Sequence, residues 1–173
     1  MAVLSIVEIP DPRLRLVSRP VEVVDDEVRT LVADMTETMY DAHGIGLAAI
    51  QVGVDRRVVV IDLQERESED SEPVRAPRAY INPEVVAESE ELSVYNEGCL
   101  SIPEQYAEVK RPATCRVRWL DEQGAVHEEE MDGLLATCMQ HEIDHLNGVL
   151  FVDHISKLKR DMLLKKLAKQ RRN

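Results

Sequence analysis

Apolar residues recur at two different periods along this chain. Between residues 25 and 42, Val28, Leu31, Val32, Met35 and Met39 are spaced at three and four, the period of a helix with one buried face. A second helix is predicted over residues 133–146. There Leu134, Leu135, Ala136, Met139, Ile143 and Leu146 leave few positions polar, so the helix should be buried, and Gly148 marks its end. A third helix starts near residue 156. Short apolar or alternating runs at 57–63, 79–81, 85–87, 92–95, 106–110, 115–121 and 126–131 predict strands, with a turn at Asp121-Glu122-Gln123-Gly124. Residues 64–77 are polar, acidic and proline-containing, an exposed loop; residues 1–20, with prolines at 10, 12 and 20, form an extended arm. The pattern predicts an α+β fold, with short mixed or antiparallel strands wrapped around one buried helix and a C-terminal helix added, in a single domain over residues 1–173.

Composition narrows the class. A chain of 173 residues can bury a sizeable core, and 44% hydrophobic residues exclude a disordered one. Aromatics are only 3%, so the core must be built from Val, Leu, Ile and Ala. The start has no basic stretch followed by a long apolar core, and no run of 18 apolar residues occurs, so the expectation is a cytoplasmic protein with no membrane contact. Three cysteines show no pattern of disulfide pairs.

The buried helix carries His141-Glu142-Ile143-Asp144-His145, an H-E-x-x-H sequence. Residues four apart share a helical face, about 6 Å apart along the axis. Two imidazoles so placed can hold one divalent cation, and Glu142 can take a proton from a water at that cation. A charged surface helix could contain the same letters by chance. The apolar surroundings argue against that, since buried imidazoles need partners. A catalytic site needs a third protein ligand. No Glu follows His145, and Phe151 stands where an extended H-E-x-x-H-x-x-G-x-x-H pattern would place its last histidine. Asp153 and His154 remain open as ligands. Cys138 lies about 10 Å along the axis from His145, too far for a short thiol, and Cys115 reads as core. Cys99, in Glu97-Gly98-Cys99-Leu100-Ser101, has the loop-like setting that chemistry favours without deciding it. Residues 43–53 are glycine-rich and lack the phosphate-loop pattern. There Gly44-Ile45-Gly46 is compatible with a backbone edge open to a substrate. Gln51 could donate to a developing oxyanion, or it could simply face solvent.

Taken together, Gly44-Ile45-Gly46-Leu47-Ala48-Ala49-Ile50-Gln51, Glu97 to Ser101 and His141 to His145 closely resemble the three motifs of peptide deformylases, in the family's order. The resemblance implies a hydrolase that removes the formyl group from the N-terminal formylmethionine of new proteins. It makes Cys99, His141 and His145 the metal ligands and Glu142 the general base. It gives the oxyanion to the Gln51 side chain and the Leu100 N–H; the open backbone edge of Gly44, Ile45 and Gly46 is then expected to bind the substrate. The metal it implies is Fe²⁺, with Zn²⁺, Ni²⁺ or Co²⁺ able to substitute; the partners are N-formylmethionyl nascent peptides, and the chain is expected to be a monomer. Tyr106 departs from the pattern, standing where some members carry an arginine near the cleft. A different metal-dependent amidase or peptidase would share the ligands, and a structural metal site would not need Glu142 as a base.

Charge is divided unevenly. Residues 157–173 hold eight Lys/Arg and one acidic residue, a net +7, on a body of net −19. A basic helix on an acidic protein can bind a polyanion or its own acidic surface. Ile155, Leu158, Met162 and Leu163 recur at three, four and one, the spacing of a face that packs on the body, and the family resemblance implies docking on the ribosome.

Overall fold

Four consecutive apolar residues, Val58–Ile61, are buried on both sides, and the architecture follows from what covers them. The computed structural model describes residues 1–172, so Asn173, the last residue of the predicted basic tail, lies outside the described residues. Strands β1 (Gly46–Ala48), β2 (Val58–Ile61), β3 (Arg78–Glu88), β6 (Cys115–Leu120) and β7 (Val126–Met131) form one sheet in the order β1-β2-β3-β6-β7. Helix α1 (Asp26–Asp41) lays Val32, Met35 and Met39 on one face of it, against Val58, Val60 and Ile81. Helix α2 (Gly133–Leu146) lays Met139, Ile143 and Leu146 on the other, against Val59, Ile61, Tyr80 and Val117. A strand covered on both faces reads as a continuous apolar run, as β2 does. The far side of α2 is covered by a hairpin of β4 (Leu92–Cys99) and β5 (Ile102–Pro112). The α+β fold with a central helix is therefore present, and every strand pairing among the described residues is antiparallel.

Two differences from the sequence pattern have local causes. The runs at 79–81 and 85–87 are one strand, β3, whose register slips between Ile81 and Glu84 and again before Ala87. Pro83 cannot donate to a ladder, and Asn82 sits at φ +51° with its side chain exchanging two 2.8 Å hydrogen bonds with the Val21 backbone, so the alternation is broken inside the strand. Strand β1 is only three residues long, too short to show a period.

The N-terminal arm and helix α3 (Lys157–Arg171) close the bottom of the molecule. Val7 and Leu14 from the arm join Ile102 and Val109 of β5 with Leu163 and Leu167 of α3 in one apolar cluster. The arm crosses the end of α2, where Ser18 N–H donates to the Leu146 carbonyl at 2.8 Å. Gly148, at φ +74°, lies so close to Arg15 that a Cβ would be 2.5 Å from its carbonyl oxygen. The packing face predicted for α3 is corrected in part. Ile155 and Leu163 turn inward, but Leu158 and Met162 are 71% and 63% exposed. The helix meets the body through Leu163 and Leu167, one turn apart, with Leu164 beside them, and Leu158 and Met162 lie outside that face.

Candidate metal centre

Helix α2 presents His141 and His145 on one face, with ring centroids 5.0 Å apart and Nε2 atoms 3.2 Å apart. Cys99 reaches them from the end of β4, its Sγ 3.3 Å from His145 Nε2. The register of β4 against β5 slips between Gly98 and Cys99, and such an irregularity re-aims a side chain. The three donor groups lie within 4.8 Å of one another. The other candidates go elsewhere. Asp153 pairs with Arg15, and His154 with Asp144. Cys138 is buried beside Gly46, its thiol pushed well up by burial and by Glu142, and burial holds the Cys115 thiol at about 11.

The donor set fits a divalent cation. Tetrahedral bonds of ~2.3 Å to sulfur and ~2.1 Å to nitrogen separate the donors by roughly 3.4–3.6 Å, close to the spacings found. Burial pushes both imidazoles down. For His141, hydrogen bonds with Cys99 and Glu97 and the charge of Glu142 outweigh burial and raise it well above the ordinary range. His145 stays well below that range, because the His141 charge adds to burial.

A charged network holds the ligands in place. Glu97 Oε1 accepts from His141 Nδ1 at 2.9 Å, which turns the Nε2 lone pair toward the cradle. Arg111 grips the same carboxylate with two bonds, Nε–Oε2 at 2.7 Å and Nη2–Oε1 at 2.9 Å, and reaches Asp144 Oδ2 at 2.8 Å. Burial pushes the Glu97 carboxyl up, but the bonds from His141 and Arg111 and their charges prevail and hold it at about 2. Arg111 and Asp144 were not foreseen as parts of the site. A signal existed for Arg111: it shares an inward-facing register with Val109 on an alternating strand, where an arginine requires a buried partner.

Glu142 stands beside the cradle. It is 3% exposed, its Oε1 has no hydrogen-bond partner in the protein, and burial lifts its carboxyl to about 7. Gly46 makes room for it, since a Cβ there would be 2.6 Å from Glu142 Oε2. The Gln51 amide is oriented by its own turn. Oε1 accepts from Ala48 N–H at 2.9 Å, so Nε2 faces Ser101 Oγ at 3.1 Å and Cys99 Sγ at 3.5 Å. Gln51 is thus buried beside the cradle and does not face solvent. The Leu100 side chain packs against Gly44. A cavity of about 440 Å³ opens onto these groups, lined by Gly44, Ile45, Gly46, Leu100 and Glu142 among others, with His145 behind the wall. Tyr106, 64% exposed, stands at its mouth with its ring against Gly98. The arrangement can hold a cation, take a proton from water beside it, and stabilise negative charge next to Gln51.

Known proteins resemble this chain over nearly its whole length. A family model described as polypeptide deformylase matches residues 3–161. A peptide deformylase from Rhizorhabdus wittichii is 69% identical over 172 residues, which span 99% of this chain and 97% of that protein. One from Zymomonas mobilis is 60% identical, spanning 99% of this chain and 97% of that one. The crystal structure of peptide deformylase from Ehrlichia chaffeensis in complex with actinonin superimposes with a TM-score of 0.91 at 46% identity, over 100% of both chains.

Proposed function

We infer the roles of the individual residues from the premise that the chain belongs to the peptide deformylase family. It is a metal-dependent hydrolase that removes the formyl group from the N-terminal formylmethionine of new proteins. The reaction adds water to a formamide and yields formate and a free amine. We assign Cys99, His141 and His145 as the metal ligands. The observation that carries this assignment is the convergence of one thiol and two imidazole Nε2 atoms next to a buried, partnerless carboxylate oxygen.

When bound, a divalent cation supplies Lewis acidity to the formyl oxygen and makes a water easier to deprotonate. Glu142 takes the proton from the attacking water; a carboxyl raised to about 7 is poised to accept it and then to hand it to the leaving amine. Gln51 Nε2 and the Leu100 N–H donate to the tetrahedral oxyanion. Because Gln51 Oε1 is tied to Ala48, the donor needs no reorientation during the reaction. The backbone of Gly44, Ile45 and Gly46 receives the peptide, since the two glycines there let two backbones approach. Glu97 and Arg111 keep His141 in its ligating tautomer.

The metal we assign is Fe²⁺; Zn²⁺, Ni²⁺ and Co²⁺ suit the same Cys-His-His set. The chain works as one domain of residues 1–173, as a monomer in the cytoplasm. Its basic α3 contacts the ribosome, where formylated chains emerge. Among the described residues no helix is long and apolar enough to cross a membrane. Lys165, Lys166 and Lys169 are exposed on α3 and available to phosphates. The test is formate release by Fe²⁺-loaded protein under argon. Formyl-Met-Ala-Ser should be cleaved, and Met-Ala-Ser and longer unformylated peptides should stay intact. Cleavage of internal peptide bonds, or no formate, would overturn this reading.

A further inference from the structure

Helix α3 carries charge outward, but its last turn reaches inward to the strand that leaves the metal cradle. Strands β4 and β5 pair at Gly98–Tyr106 and again at Cys99–Ile102, so Pro103, Glu104 and Gln105 bulge out between two adjacent rungs. Glu104 sits at φ +62°, a backbone conformation that favours glycine and persists only where the surroundings fix it. Gln105, the last residue of the bulge, is buried and lines the catalytic cavity. Its amide nitrogen donates to Gln170 Oε1 on α3 at 2.9 Å.

One residue further on, Arg171 donates to the Ile9 carbonyl and, at 3.0 Å, to Glu8 Oε1. These contacts hold the N-terminal arm, and the arm in turn supports the centre. Val7 N–H donates to the Gln51 carbonyl at 2.7 Å, and Ile9 N–H to the Ser101 carbonyl at 2.9 Å. Leu163 and Leu167 pack beneath the same elements, in the apolar cluster that contains Val7 and Ile102 and against which Cys99 packs. Two separate routes therefore run from the end of α3 to the centre: Gln170 through Gln105 to the bulge after Cys99, and Arg171 through the arm to Gln51 and Ser101.

We propose that Gln170 and Arg171 are positioning residues for the catalytic centre, holding the Cys99–Gln105 turn and the Gln51 amide in register. This rests on the assignment of Cys99 as a metal ligand and Gln51 as an oxyanion donor. The helix that contacts the ribosome is then also a brace of the active site.

The experiment compares full-length, Co²⁺-loaded wild type with Gln170→Leu, Arg171→Gln, the double variant, and Gln170→Glu, which keeps an acceptor for Gln105. Three quantities are read: kcat and KM for a formylated tripeptide, the thiolate-to-cobalt charge-transfer band, and Tm. The double variant should lose about 5-fold in kcat with KM within 2-fold, less than the ~10²-fold that a 1 Å misplacement of a catalytic group can cost. Its charge-transfer band should shift, Gln170→Leu alone should show a smaller loss and shift, and Gln170→Glu should match wild type in both rate and band. Variants that take up cobalt and match wild type in kcat and spectrum would overturn the proposal. So would a rate loss that follows Tm alone, with Gln170→Glu no better than Gln170→Leu. A wild type that deformylates but shows no thiolate band would instead remove the Cys99 assignment, and this proposal with it.

Discussion

Helices α2 and α3 contain 14 and 15 residues, yet ten residues of α2 are buried and only Leu163 and Leu167 of α3 are. Most polar groups of α2 are met inside the protein, His141 by Glu97, His145 Nε2 by Cys99 and Asp144 by Arg111, while Glu142 Oε1 and His145 Nδ1 are left without a partner. Most charges of α3 face water, and its sequence tolerates apolar residues outside as well. A buried polar group is fixed in position and costly to orphan, so α2 can hold chemistry in place. An exposed charge is free to exchange partners, so α3 suits a reversible, salt-sensitive contact.

Substitutions should separate the two helices by size of effect. The largest falls on α2. Glu142→Ala should retain one metal per chain and lose about 10²–10⁴-fold in deformylation, because proton transfer is removed and the ligands are untouched. Metal content and formate release measured on the same sample check this, and a rate near wild type would remove Glu142 as the base. Next comes the network behind α2. Glu97→Ala leaves Arg111 buried without its two-bond partner, and breaking a buried pair costs about 3 kcal/mol. Urea unfolding reads that loss directly; a change below ~1 kcal/mol would mean that Asp144 alone satisfies Arg111.

Effects on α3 should be smaller and split by face. Leu167→Ala, within the apolar cluster, should cost about 2 kcal/mol. Lys165→Glu combined with Lys166→Glu, on the exposed face, should change stability by less than ~0.5 kcal/mol. The same pair should flatten the salt dependence of ribosome pelleting, since counterions are released only where phosphates are neutralised. Pelleting that keeps its salt dependence would assign the basic face another role. Charge reversal is the cleaner probe here. Removing residues 160–173 would also take Leu163 and Leu167 out of the apolar cluster and uncover the partners of Gln170 and Arg171.

Much of this was legible in the sequence where a period ran long enough. The rows Val28–Met39 and Leu134–Leu146 place α1 and α2 within a residue or two of their observed bounds. Strand β1 escaped because three residues hold no period, and β3 read as two pieces because Asn82-Pro83 interrupts it. On α3, Leu158 and Met162 were misplaced because a short basic helix can turn more than one row of apolar residues inward, and tertiary contacts choose among them. At the centre, the H-E-x-x-H spacing gives two donors from one helix. The position of a third depends on a β-register slip next to Cys99, which spacing does not encode and which left Asp153 and His154 open. Arg111 was missed for a related reason: its partners, Glu97 and Asp144, come from different elements.

The most direct test of the centre is the metal content of purified Cys99→Ser beside that of Cys138→Ser. Cys99 Sγ lies 3.3 Å from His145 Nε2, whereas Cys138 packs beside Gly46 outside the donor group. A serine hydroxyl is a far weaker ligand than a thiolate. Cys99→Ser should therefore lose most of its metal at equilibrium with a mild chelator, and Cys138→Ser should keep one ion per chain. Loss of metal from Cys138→Ser with retention by Cys99→Ser would contradict the assignment of the site.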